Sequence, residues 1–195
     1  GDVFLSSSLI TGLYENFDSP QIDILVNDDT YSVASLIPFI NKIHTFSYNE
    51  KKNNRWRQEK NLIVKIFSKY DLSINLTASD RSVLYALIAG KKTISAIETS
   101  NKKSWWKKKL LSYYYYFDSS NHILLNNFEP LKILNIKYDS EHQPILFSDS
   151  DYYEIRSKLK SNKIDKFFIF HPSAQYNYKI YPKNLRNELL SFLNT

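Results

Sequence analysis

Short runs of alternating apolar residues, set between stretches in which apolar residues return every third or fourth position, constrain this chain more than any other feature. Ile22, Ile24 and Val26 alternate, Leu72, Ile74 and Leu76 do the same, and Thr93 to Ile97 reads as a further strand. Alternation puts successive side chains on opposite faces of an extended segment. Around these runs Leu5, Leu9, Leu13 and Phe17, then Leu62, Ile63, Ile66 and Phe67, then Val83, Leu84, Leu87 and Ile88 follow the helical period. Strand and helix therefore alternate in units of about 20 to 30 residues, the pattern of a mostly parallel sheet with helices on both faces. The expected fold class is α/β.

The punctuation agrees. Asn27 to Thr30 reads as a loop ending in an N-cap for a short helix through Leu36, stopped before Pro38. Lys42 to Phe46 reads as a strand. Tyr48 to Gln58 is polar and basic (Lys51, Lys52, Arg55, Arg57) and has no period, which predicts a surface loop. Ser79-Asp80 caps the helix that follows, and Gly90 is placed to stop it as a C′ glycine. Leu124, Phe128, Leu131 and Leu134 mark a helix that Pro130 would kink or divide. Residues 149–161 read as an exposed helix. Phe167 to Phe170 is a continuous apolar run, as in a strand buried on both faces, and His171-Pro172-Ser173 leaves it as a polar loop. Pro182 opens a last helix carrying Leu185, Leu189 and Leu193. The expected division is a domain over 1–161 and the start of a second over 162–195.

Composition removes several classes of chemistry. There is no Cys, which excludes disulfides, thiol nucleophiles and Cys-ligated zinc. No apolar run reaches the roughly 18 residues of a spanning helix, so any membrane contact is expected to be peripheral. The chain holds no Met and opens in mid-pattern, and an excerpt from a longer protein is expected. No Gly-rich phosphate loop, dinucleotide fingerprint, nucleophile elbow or zincin motif occurs. His44, His122, His142 and His171 are far apart in sequence, and no metal site is expected.

Three stretches then carry a resemblance. Gly1-Asp2-Val3 with Ser6-Ser7-Ser8-Leu9-Ile10 leads to Ile22-Asp23-Ile24-Leu25-Val26; Tyr70 to Leu76 is followed by Arg81-Ser82 and Gly90; Phe170-His171-Pro172-Ser173-Ala174 is followed by Lys179 and Tyr181-Pro182. In order and spacing the set resembles glycosyltransferase family 9, the lipopolysaccharide core heptosyltransferases, and His122 with Asn127 adds a fourth point. The sequence departs from the family pattern at Ser8, Asn126, Ser173, Gln175 and Tyr181.

The resemblance implies a GT-B-like fold. Residues 1–161 would be a Rossmann-like, acceptor-binding N-terminal domain lacking its first strand, and 162–195 the start of a second Rossmann-like domain that binds the nucleotide-sugar. It implies an inverting glycosyltransferase moving a heptose from an ADP-heptose donor to the inner core of lipopolysaccharide, without a metal. The acceptor would be an anionic glycolipid, the location cytoplasmic with a peripheral contact at the inner membrane surface, and this stretch alone would be inactive. A protein acceptor also stays open.

Each candidate residue has a plainer alternative. Asp2 reads as a helix N-cap or as the general base for an acceptor hydroxyl, ionised because the helix dipole favours its charge. Lys179 reads as a solvated surface charge or as the cation that neutralises a diphosphate leaving group, with Ser173 adding a hydroxyl donor. Arg81 and His122 read as acceptor contacts, or as a helix-surface ion pair and a satisfied buried His. The run Lys102-Lys103-Ser104-Trp105-Trp106-Lys107-Lys108-Lys109 reads as a solvated amphipathic segment with a Trp packed inward, as a contact for an anionic glycolipid or membrane surface, or as a nucleic-acid patch in a chain of net charge +6. The rival to the enzyme is thus a non-catalytic basic, aromatic module binding nucleic acid or an anionic membrane; for the enzyme no nucleic acid is expected.

Overall fold

A computed structural model describes residues 2–99, 104–137, 147–174 and 177–193, with the backbone alone for 49–55. It divides into two compact units, 1–147 and 148–195.

In the first unit helices α1 (Asp2–Leu5) and α2 (Ser7–Asn16) lead to strand β1 (Ile22–Asn27). A 3-10 turn (Asp28–Thr30) and helix α3 (Tyr31–Ala34) return the chain to β2 (Ile40–Phe46), which pairs with β1 in parallel. Helix α4 (Tyr48–Ile66) crosses to β3 (Tyr70–Asn75), followed by α5 (Asp80–Ala89), β4 (Gly90–Ile97), α6 (Trp105–Leu110), β5 (Tyr113–Tyr116) and α7 (Ile123–Ile133). The strands β3, β4 and β5 form a second parallel sheet in that order, with β4 central. Strands are parallel and flanked by helices, as the alternation of periods requires, but they make two sheets rather than one continuous one.

The core lies where helices cover the sheets. Phe46, Leu62, Ile66 and Ala89 pack between β2, α4 and α5. Val83, Ile97 and Leu111 form a second cluster, with Leu87 and Trp106 against it. Ile94, Ala96 and Tyr115 form a third on the other side of β4, covered by Ile133 and Leu134.

Several local expectations are corrected. Residues 48–58 are not a loop: α4 begins at Tyr48, because Lys, Arg, Gln and Glu are good helix formers even where no apolar stripe announces the period. Thr30 does not cap α3; its hydroxyl donates back to the Asn27 carbonyl at 2.8 Å. Gly90 does not stop α5 in a left-handed turn. It is extended, and it opens β4 at a point where an added Cβ would meet Ser73 Oγ at 2.6 Å and the Lys92 carbonyl at 2.8 Å. The glycine serves close approach of β3 and β4. Pro130 does not divide α7, which runs through it with Pro130 and Leu131 buried. Tyr113 to Tyr116, without any alternation to mark them, become a strand by pairing with β4.

The second unit contains helix α8 (Asp149–Ser161), a 3-10 turn (Asn177–Lys179) and helix α9 (Lys183–Leu193). A capping box holds the start of α8: the Ser148 hydroxyl accepts from the Asp151 amide, and the Asp151 carboxylate accepts from the Ser148 amide. Phe167 to Phe170 is not a buried strand, and Ile169 is 87% exposed. A parallel strand needs neighbours for its backbone groups, and no other strand lies among the described residues of this unit.

Candidate functional site

Asp2 stands in the first turn of α1 with its side chain exposed. What holds its helix is specific. Ser6 closes α1 by donating from its hydroxyl to the Val3 carbonyl at 2.6 Å. Asn127, 2% exposed on α7, donates its side-chain amide to the Leu5 carbonyl at 3.0 Å. Helix α1 packs on α3 and α7, so the carboxylate is mounted on a braced helix although the helix is only one turn long.

The neighbouring residue of α7, Asn126, has a second structural task. Its amide accepts from the Asp118 N–H and donates to the Asp118 carbonyl, both at 2.9 Å, which pins the turn before the helix. His122 caps that helix: its Nδ1 accepts from the Leu124 amide at 3.2 Å, and the ring is exposed. It is therefore not the satisfied buried histidine of the plainer reading.

Arg81 is occupied within the fold. Its guanidinium pairs with Glu59 at 2.9 Å, donates to the Tyr85 hydroxyl at 2.8 and 3.0 Å, and lies 3.5 Å over the Phe46 ring. The Tyr85 hydroxyl in turn donates to Glu59, and burial together with that acceptor pushes its pKa up to about 12 against the pull of Arg81. Helix α5 is thereby locked to α4 and β2. This is the ion-pair reading of Arg81.

The lysine run divides. Lys102 and Lys103 lie outside the described residues. Lys107, expected at a surface, is 0% exposed: its ammonium donates to the Ala78 carbonyl at 2.6 Å and pairs with Asp80 at 2.7 Å, clamping α6 onto the loop between β3 and α5. The physical reason is position, since Trp106 and Lys107 share the side of α6 that faces the core and an acid lies within reach there. Lys108 is exposed and donates to the Tyr116 hydroxyl at 3.0 Å.

In the second unit Ser173 is exposed in the loop after His171-Pro172, and Lys179 ends the 3-10 turn with its ammonium 5.6 Å from the Tyr178 ring centre. Asp2 and Lys179 thus belong to different units.

Two features of the first unit went unread in the sequence. Asp23, His44 and Tyr70 converge: the Tyr70 hydroxyl donates to Asp23 Oδ2 at 2.7 Å, His44 Nε2 lies 3.0 Å from that hydroxyl, and Asn41 donates to Asp23 Oδ1 at 2.9 Å. Burial pulls the Asp23 pKa upward, but the bonds from Tyr70, Asn41 and His44 together outweigh it and hold the carboxyl below its usual range. Burial and Asp23 raise the pKa of Tyr70. The available signal was an acid set between two isoleucines of a strand. Beside this cluster, a cavity of about 330 Å³ is lined by Asp28, His44, Thr45, Ser47, Asn61 and Lys65 among others. It lies toward the ends of β1 and β2 from which the chain leaves the sheet, where open α/β sheets receive ligands. A carboxylate, hydroxyls, an amide and an ammonium around one cavity suit a hydroxyl-rich ligand. Among the described residues no three His, Asp or Glu side chains converge as a metal site.

No protein-family model matches the sequence, and no curated protein does. The structure is similar to that of the glycosyl transferase family 9 from Veillonella parvula DSM 2008, with a TM-score of 0.75 and 16% identity over 99% of this chain and 56% of that one. This is the fold of the family 9 glycosyltransferases. The same GT-B architecture relates it to the E. coli heptosyltransferase WaaC with ADP, at TM-score 0.69 and 12% identity over 98% of this chain and 61% of that one. For the E. coli ADP-heptose lps heptosyltransferase II the TM-score is 0.62 and the identity 16%, over 97% of this chain and 57% of that one. The chain thus spans little more than half the length of these glycosyltransferases. At such identities the likeness establishes the family 9 fold and not the reaction.

Proposed function

We propose that this chain is the acceptor-binding part, with the beginning of the donor-binding part, of an inverting glycosyltransferase that transfers heptose from ADP-heptose to the inner core of lipopolysaccharide. The observation that carries the reading is the family 9 fold over 99% of the chain. Among its structural neighbours are enzymes described as ADP-heptose lps heptosyltransferase II and as WaaC with ADP.

The Asp2 carboxylate takes the proton of an acceptor hydroxyl as that oxygen attacks the anomeric carbon of the donor. The bond from this carbon to the diphosphate oxygen breaks on the opposite face, the configuration inverts, and ADP leaves. The carboxylate stands exposed in the first turn of α1, open to an acceptor hydroxyl whose proton it would take. The negative charge that develops on the diphosphate is met by the Lys179 ammonium and the Ser173 hydroxyl, which removes the need for a metal. Acidic groups of the acceptor are not assigned to Arg81, whose guanidinium is committed to Glu59 and Tyr85.

In the full-length protein, Asp2→Asn and Asp2→Ala are expected to lower kcat about 10²- to 10⁴-fold while donor affinity is kept, and Lys179→Ala to weaken donor binding. Undiminished turnover by Asp2→Ala rejects the base. A panel of nucleotide-sugars tests the donor separately: transfer from a uridine-linked sugar in preference to ADP-heptose would leave glycosyl transfer standing and remove heptose.

A further inference from the structure

Helix α1 carries the Asp2 carboxylate but has little of its own to keep it in place. It is a single turn of four residues, and one turn fixes several backbone angles in exchange for very few helical hydrogen bonds. Val3, Phe4 and Leu5 are only half-buried, so apolar packing anchors the turn weakly. Its carbonyl end is gripped instead by two side chains. The Ser6 hydroxyl donates to the Val3 carbonyl at 2.6 Å, and Asn127 Nδ2 donates to the Leu5 carbonyl at 3.0 Å. The first bond is local, whereas the second spans 122 positions of sequence and ties α1 to α7. Ser6 and Asn127 are 5% and 2% exposed. Water has no access to stand in for either donor, so a bond lost there is replaced only if the backbone of α1 moves.

Helix α7 is the fixed partner in this joint. Asn126, beside Asn127, is bonded through both ends of its side-chain amide to the backbone of Asp118. Pro130 and Leu131 are buried, and Ile133 with Leu134 packs on the cluster of Ile94, Ala96 and Tyr115. The Asn127 amide thus passes the position of the β3–β4–β5 sheet on to the helix that bears Asp2. Resting on the reading of Asp2 as the base, we propose that Asn127 is a positioning residue for the transfer. Through the Leu5 carbonyl it sets where the Asp2 carboxylate stands relative to the acceptor hydroxyl, and the Ser6 hydroxyl is the second brace. Asparagine suits the task because its amide donates to a carbonyl without bringing a charge into a buried place. An aspartate of the same shape offers that carbonyl only another acceptor, and a leucine offers nothing. The effect falls on the chemical step, since a base must stand within hydrogen-bond reach of the proton it takes.

The test is steady-state kinetics of the full-length protein with ADP-heptose and an inner-core lipopolysaccharide acceptor. Asn127→Leu is expected to lower kcat about 100-fold, with KM for both substrates little changed. Ser6→Ala should lower kcat by a smaller factor, and Ser6→Thr, which keeps the hydroxyl, should restore it. These two keep the test decisive should Asn127→Leu fail to fold. In an Asp2→Asn background, Asn127→Leu should lower the residual kcat no further, because the brace then has no base to place. Val83→Ala opens a cavity in the cluster of Val83, Ile97 and Leu111 and is the control for lost stability; it should lower the melting temperature and leave kcat of the folded protein unchanged. A rise in KM with kcat kept, a further loss in the Asp2→Asn background, or an equal fall in kcat from Val83→Ala would overturn the positioning role and leave Asp2 as the base. Undiminished turnover by Asp2→Ala would instead remove the base, and the positioning role with it.

Discussion

Lys107 shows how far a residue's neighbours override its type. A lysine is among the least buried residues in general, yet this one is fully enclosed, because Asp80 and the Ala78 carbonyl take up its donors. The pair is asymmetric: Asp80 is 71% exposed, so water can serve its carboxylate if the lysine is lost. Asp80→Asn, which strands a buried cation, should therefore cost about 3 kcal/mol, whereas Lys107→Met should cost distinctly less. Chemical denaturation of both variants measures the difference, and equal losses would contradict the asymmetry. Arg81 makes the same point, since its reach to Glu59, Tyr85 and Phe46 leaves its charge engaged inside the unit.

Among elements, β3, β4 and α5 meet at a close joint. Ser73 on β3 donates to the Ala86 carbonyl of α5 at 2.7 Å and lies against Gly90 at the head of β4. Gly90→Ala is expected to destabilise the fold by about 2 kcal/mol, since a methyl group there meets Ser73 at 2.6 Å and backbone on the other side. Gly90→Ala combined with Ser73→Gly should recover part of that loss in thermal unfolding, and no recovery would show that the Lys92 carbonyl is the obstacle. Helix α4 teaches the complementary lesson. Its last turns were legible because Leu62 and Ile66 face the core, while its first turns carried only propensity, which a reading based on apolar period passes over.

Across the whole first unit, Asp23, His44 and Tyr70 link β1 and β2 to β3, which hydrogen-bonds in the other sheet. The folded-state pKa of Asp23 lies below its unfolded value, so its contribution is fully present above the unfolded pKa of about 4 and is lost as pH falls through the folded value. Stability measured by denaturant titration should drop over that acid window. Tyr70→Phe should remove about 1 to 3 kcal/mol near neutral pH and flatten the acid drop; an unchanged acid profile would assign the loss to other carboxylates.

The sequence by itself determined that strands and helices alternate, that the strands are parallel, where α5 is capped, and which residues align with the family 9 pattern, because periodicity, capping and motif order are local properties. Asp2 and Lys179 were legible as candidates in the same way. Tertiary structure alone decided that the strands form two sheets, that four tyrosines make a strand, that Lys107 is inward while Lys108 is outward, and that Phe167, Phe168 and Ile169 stay exposed. Each of these depends on a partner distant in sequence: a strand to pair with, an acid to neutralise a charge, or a neighbouring layer to cover an apolar run. Partners of that kind exist only once the chain has folded.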